Sequence, residues 1–271
     1  MNTSTRSRQV IGEDRLPTDD GLSAFESARS RLFGIAYRML GSVAEAEDVV
    51  QDAWTRWQST DRRVVQDSQA FLATTAMRLA INVLQSARMR RETYVGPWFP
   101  EPIDTSADPS VGAERAEALE LAVLMLLERL SPAERAAYVL REAFNYPHKE
   151  IAEVLRVEEA NARQLVTRAR QHVTGGRRAR VSDDEQQRLL HAFVAASQTG
   201  DVAALERLFA ADVVSQADDG GLIRAAQKPV AGGERVAKYI GSVSEWGLRG
   251  VTVTMIQANG ATCVSCHAPA S

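Results

Sequence analysis

Cysteine is nearly missing from this 271-residue sequence: the only two, Cys263 and Cys266, stand close together near its end. Two thiols so placed cannot staple a chain of this size, which excludes a disulfide framework. Aromatics are scarce as well, 6% of residues within a 45% apolar total. Long apolar runs are lacking, since the best candidate, positions 119–130, is about a dozen residues bounded by charge and too short for a membrane span. The first twenty residues are polar with no apolar core, so no secretory signal is expected and the expected location is the cytoplasm. An excess of either charge is also lacking: Lys and Arg total 32 against 35 Asp and Glu, a net charge of −3. That balance excludes wholesale disorder and nucleic-acid binding by the whole surface, but a sum conceals segregation along the chain.

The length suits two or three small domains. Ser23 with Glu26, Ser42 with Glu45, and Ser131 with Glu134 each carry the capping-box spacing, the last with Pro132 at the first helical position. With Asp67 or Ser68 capping a further amphipathic stretch, three helices are expected between about positions 23 and 91. Positions 94–112 contain Pro97, Pro100, Pro102 and Pro109, a density that forbids a helix and reads as an extended linker. Its Tyr94, Trp98 and Phe99 are expected to dock on a neighbouring domain, with a partner-binding role as the alternative. A second helical block, positions 113–178, restarts at Ser131 and Pro132. It then gives a short amphipathic helix from Pro147 to Leu155, a turn at 156–158 and a longer helix to Val173, the helix-turn-helix pattern. From Asp183 the character changes to a small α+β unit, with helices near 185–197, 202–209 and 233–240 and strands at "DVVSQ" and "GVTVTMIQ".

Three faces carry chemistry. On the last helix of the second block, Ala162, Leu165, Val166, Ala169 and Val173 share one side while Arg163, Gln164, Thr167, Arg168 and Gln171 share the other. Arg and Gln can pair bidentately with guanine and adenine edges, and between Arg163 and Arg180 the chain has six arginines and no acid. A second basic stretch holds Arg78, Arg88, Arg90 and Arg91 with Asn82 and Gln85, side chains suited to an unstacked strand. Between them in character lies a helix with Val50, Ala53, Trp54 and Trp57 inward and Glu45, Asp48, Gln51, Asp52 and Thr55 outward. An acidic face does not favour DNA; it is either solvated or meets a positively charged partner. The tail "CVSCH" matches the haem-attachment spacing, but that chemistry needs export, and zinc would need a fourth ligand that is not evident. No metal or other cofactor is expected.

The strings "RLFGIAYRMLGSVAEAEDVVQDAWTRW" and "LSPAERAAYVLREAFNYPHKEIAEVL" resemble the two conserved regions of an extracytoplasmic-function sigma factor of bacterial RNA polymerase. The linker and the α+β extension are similar to the subgroup with a SnoaL-like domain. The resemblance implies a mainly α chain: flexible residues 1–21, region 2 at 22–93, a linker at 94–112, a region 4 helix-turn-helix at 113–180 and a SnoaL-like, cystatin-like cone at 183–271. Whether that cone's sheet is complete is left open. Asp219 and Leu222 stand where the subgroup has Gly and Lys.

By the same resemblance Asp48, Gln51 and Asp52 would dock on the β′ clamp helices of core polymerase, and the β flap would be a further contact. Arg78, Asn82, Arg88, Arg90 and Arg91 would bind the minus-ten element, with the loop at 60–69 as the pocket for a flipped base. Asn161, Arg163, Gln164, Thr167 and Arg168 would read the minus-thirty-five element. Tyr94, Pro97, Trp98 and Pro100 would form a regulatory linker under the C-terminal domain. Whether a separate anti-sigma protein exists is left open. No enzyme activity is expected. Two other readings are a helix-turn-helix regulator that binds duplex DNA without polymerase, and an isomerase or cyclase using His191, Asp212, Asp218 or Asp219 as base.

Overall fold

The computed structural model describes residues 20–91, 99–103, 121–176, 182–217, 228–247, 251–259 and 261–267. The first module is α1 (Asp20–Leu40), α2 (Val43–Ser59) and α3 (Ser68–Arg91). Its helix starts differ from the expected pattern at one place: Ser23 lies inside α1, which begins at Asp20. The cause is long-range, because the Trp57 indole N–H donates to the Gly21 carbonyl at 2.7 Å and holds the extra turn against α2. Ser42 does cap α2, accepting from the Glu45 N–H. The carboxylate that receives the Val43 N–H, at 2.8 Å, comes from Glu101 in the linker. Gly41 makes the corner between α1 and α2 at φ +73, and a Cβ there would stand 3.4 Å from Pro100. Asp67 caps α3, its Oδ1 accepting from the Gln69 and Ala70 N–H groups.

The second module is α4 (Leu121–Leu127), α5 (Pro132–Tyr138), α6 (His148–Leu155) and α7 (Glu159–Gly176). Ser131 and Glu134 form the complete reciprocal box at the start of α5. A widened π-type turn, Val139–Ala143, follows α5, and Asn145 at φ +54 turns the chain into α6. Both modules feed one core. Leu32, Met39, Trp57 and Met77 belong to the same buried cluster as Leu124, Leu140, Ile151 and Val166, each 2% exposed or less.

The third unit holds α8 (Asp183–Thr199), α9 (Val202–Leu208), β1 (Val214–Ser215), β2 (Val230–Ala231), α10 (Gly233–Gly247), β3 (Thr252–Ala258) and β4 (Ala261–His267). Strands β1 and β2 pair antiparallel, as do β3 and β4, giving two separate two-stranded sheets among the described residues. A small cluster of Ala196, Leu205 and Ala237, with Phe193 and Phe209 against it, holds the helices together. Strand β4 differs from the sequence expectation of a tail at "ATCVSCH". Small and β-branched side chains there pair residue by residue with β3, Val253 opposite Cys266 and Ile256 opposite Cys263.

Candidate nucleic-acid interface

The helix-turn-helix is built by one left-handed residue. Arg156 takes φ +57 and ends α6, and the Val157 N–H returns to the Ala152 carbonyl at 3.0 Å. Helix α7 then packs Ala162, Leu165, Val166, Ala169 and Val173 into the core, while Asn161, Arg163, Gln164, Thr167 and Arg168 are all exposed on the other side. Thr167 spends its hydroxyl on the Arg163 carbonyl, at 2.9 Å. Three arginines of α7 already have carboxylates beside them. Arg163 pairs with Glu159 one turn earlier, Arg168 Nε lies 3.4 Å from Glu134 Oε1, and Arg170 donates through Nε and Nη2 to Glu142 Oε1 at 3.0 and 2.8 Å. Glu134, Glu142 and Arg170 were not among the sequence candidates; only the capping spacing marked Glu134, and for a different job.

Two groups in this region titrate away from their ordinary values. Hydrogen bonds from Ser131 hold the Glu134 carboxyl below the usual carboxylate range, and the charges of Arg168 and His172 add to this. His148, at the first position of α6, is pulled below the usual imidazole range by desolvation and then by Arg141, Arg163 and Arg170. Arg141, Arg163 and Arg170 thus act on the start of α6, with Glu159 opposing them.

On α2, Asp48, Gln51 and Asp52 are exposed along one side, and among the described residues neither aspartate has an ionic partner. Neighbouring Glu47 is held by Arg29 at 2.9 Å.

Helix α3 is less uniform. Asn82 is exposed, but Arg78 is half-buried and turned toward the second module, donating Nε to Val154 O at 3.1 Å and Nη2 to Glu153 O at 2.9 Å. It thus satisfies carbonyls at the C-terminal end of α6, where a cation complements the helix dipole. Arg88, Arg90 and Arg91 fall on the last turns of α3, their side chains outside the described residues. In the α2–α3 loop a single helical turn, Arg62–Val64, leaves Val64 75% exposed between capping Asp61 and Asp67.

The two modules meet through cations on aromatic rings. Arg31 lies 5.6 Å from the Phe144 ring centre and 5.3 Å from that of Tyr146, and Arg38 lies 5.1 Å from Phe144. Arg135, 1% exposed, donates Nε to the Arg38 carbonyl at 3.0 Å and pairs with Glu128 at 2.6 Å.

Among the described residues the third unit is hydrogen-bonded to the linker and to α1 through Asn259. Asn259, at φ +53 in the β3–β4 turn and 1% exposed, donates Nδ2 to the Tyr37 hydroxyl at 3.0 Å and exchanges hydrogen bonds with Ile103. The Tyr37 hydroxyl donates in turn to the Glu101 carbonyl at 2.5 Å. Of the linker residues named from sequence, Pro100 is buried at this joint, while Tyr94, Pro97 and Trp98 lie outside the described residues.

The remaining candidates do not converge. Cys263 and Cys266 stand three apart on a strand and so face opposite sides of β4, and the His267 ring is engaged by Ser265 at 2.9 Å. Among the described residues no group of three or more His, Cys, Asp or Glu is placed to hold a metal. Of the four base candidates His191 lies on α8 and Asp212 precedes β1; Asp218 and Asp219, like Leu222, are outside the described residues. No described helix is long and apolar enough to cross a membrane.

Residues 24–90 match the family model for sigma-70 region 2, and residues 120–173 that for sigma-70 region 4. The sequence is 41% identical over 233 residues to the ECF RNA polymerase sigma factor SigJ of Mycobacterium tuberculosis, covering 83% of this chain and 74% of that protein. It is 32% identical over 200 residues to a probable ECF RNA polymerase sigma factor, SigI, of the same organism, covering 72% of this chain and 69% of the relative. The crystal structure of M. tuberculosis SigJ superposes with a TM-score of 0.72 at 35% identity, over 92% of this chain and 89% of that one. The chain belongs to the extracytoplasmic-function sigma factors of RNA polymerase.

Proposed function

We propose that this sigma factor divides its contacts by surface charge. The acidic side of α2, through Asp48, Gln51 and Asp52, docks on the β′ clamp helices of core polymerase, with the β flap as a second contact. Helix α3, through Arg78, Asn82, Arg88, Arg90 and Arg91, binds the minus-ten element, and Asn161, Arg163, Gln164, Thr167 and Arg168 on α7 read the minus-thirty-five element. One observation carries the reading: a fully buried side of α7 fixes the opposite side, rich in donors and cations, toward solvent beside a helix-turn-helix corner.

The packing adds a mechanical requirement. Elements about 25 base pairs apart are separated by about 85 Å of duplex, whereas α3 and α7 are about 36 and 27 Å long at 1.5 Å per residue and belong to modules in direct contact. On a promoter the modules must part, and Arg78 must leave the α6 carbonyls before it can meet DNA. The hairpin β3–β4, which clasps the linker to Tyr37 through Asn259, then serves as a regulatory tie on that opening.

Run-off transcription tests the reading. Core polymerase is supplied with the full chain, or with a form ending near Arg180, on a pool of promoter fragments. Starts at discrete sites that change in yield when the extension is removed are the expected result. No start with either form, together with tight duplex binding by the protein alone, would favour a regulator that works without polymerase.

A further inference from the structure

We infer that Glu134 is a specificity-determining positioning residue for Arg168; the inference rests on the reading that Arg168 meets the minus-thirty-five element. The carboxylate does two jobs with its two oxygens. Oε2 receives the Ser131 N–H at 3.1 Å and the Ser131 hydroxyl at 2.7 Å, while the Glu134 N–H donates to Ser131 Oγ at 3.3 Å. Those bonds, at the start of a helix that opens on Pro132, fix the carboxylate in place. Oε1 is left facing Arg168 Nε at 3.4 Å.

The difference from the other two pairs is burial and direction. Arg163 and Glu159 are 64% and 44% exposed and lie on one helix, so both ends of that pair move in water. Arg170 lays Nε and Nη2 side-on against Glu142, using up the donor edge that it would turn to a base. Glu134 is only 14% exposed and comes from a different helix, α5, whereas Arg168 is 56% exposed. A fixed carboxylate 3.4 Å from Nε, an ion pair and not a hydrogen bond, draws the guanidinium toward α5 by charge and leaves Nη1 and Nη2 available to pair with guanine O6 and N7 or with two phosphate oxygens. An ion pair at 3.4 Å contributes little to folding in itself. Its effect is orientational, together with a negative charge set behind the reading surface that opposes DNA of any sequence equally.

Glu134→Gln is the informative change, because glutamine serves in a capping box as well as glutamate and keeps the start of α5. Holoenzyme made with core polymerase is presented with duplexes randomised in the minus-thirty-five segment, and with a promoter-free duplex. The variant is expected to keep its melting temperature, to bind the promoter-free duplex about two- to fivefold more tightly, and to lose about two- to fivefold of preference at one base position. The same position is expected to lose its preference in Arg168→Ala, and adding Glu134→Gln to that variant is expected to change the preference no further. An equal loss from Glu134→Gln with or without Arg168 would overturn the inference, as would unchanged preference in the single variant. If Arg168→Ala alters neither base preference nor salt dependence, the assignment of Arg168 to the element falls, and this inference falls with it. If Arg168→Ala acts and Glu134→Gln does not, only the inference falls.

Discussion

At the scale of single residues, the best-defined joint is Asn259. Its side chain holds the Tyr37 hydroxyl and the Ile103 N–H, and its backbone sits at φ +53, where an L-residue other than Asn or Gly is disfavoured. Asn259→Ala removes the side chain and adds backbone strain; Asn259→Gly removes the side chain alone. Leaving a buried donor or acceptor unpaired costs about 1–3 kcal/mol, and placing alanine in the left-handed region adds about 1–2 kcal/mol. Both variants are expected to speed amide hydrogen exchange at Glu101 and Ile103 and at the end of α1, with alanine the greater. Equal exchange in wild type and glycine variant would show that the side-chain bonds do not hold the linker. The same burial raises the Tyr37 phenol above the usual range by desolvation, even though the Asn259 bond works the other way.

At the scale of elements, α2 offers the cleanest test of a surface. Val49, Val50, Ala53 and Trp57 are buried, so Asp48 and Asp52 can be changed without touching the core. Asp48→Arg combined with Asp52→Arg is expected to abolish co-purification with core polymerase while shifting the melting temperature by no more than a surface substitution does, within about 0.5 kcal/mol. Normal holoenzyme formation by the folded double variant would remove α2 from the polymerase contact. Helical elements were largely legible in the sequence because their signals are local. Ser131 and Glu134 announce α5, and the apolar spacing from Ala162 to Val173 announces the buried side of α7. What escaped depends on partners distant in the chain. Ser23 has the right spacing for a cap, but Trp57 draws the helix past it; Glu45 has the right spacing for a reciprocal carboxylate, but Glu101 stands at the corner instead. Strand β4 is weakly patterned, and its pairing with β3 makes it a strand. The candidate side of α7 was legible through helical periodicity, as is the i,i+4 pair of Glu159 with Arg163, whereas the acids that meet Arg168 and Arg170 come from α5 and the following turn, which no periodicity within α7 reveals.

At the scale of the whole molecule, the question is whether the contact between modules is permanent. It combines a shared apolar core with cations at its edge: Arg31 and Arg38 over Phe144 and Tyr146, and Arg78 on the end of α6. Each cation–π contact contributes about 0.5–2 kcal/mol, and a hydrogen bond from a charged group about 1.5–3 kcal/mol. The polar contacts alone sum to about 5–12 kcal/mol, so opening needs the combined binding of polymerase and promoter, each nanomolar interaction supplying about 12 kcal/mol. On the proposed reading, the contact closes the isolated chain and is opened by polymerase and promoter together. Spin labels at Gln58 on α2 and Thr174 on α7, both exposed and outside the proposed contacts, with Cys263 and Cys266 replaced by serine, read this directly. The isolated protein is expected to give one short distance, and the promoter complex a distance longer by tens of ångströms, as an element separation of about 85 Å demands. Arg78→Gln, which weakens the cap on α6, is expected to shift part of the isolated population to the long distance before any partner is added. A distance unchanged between the isolated protein and the promoter complex would mean that the packed arrangement is itself the DNA-bound form, and the two-element reading could not hold.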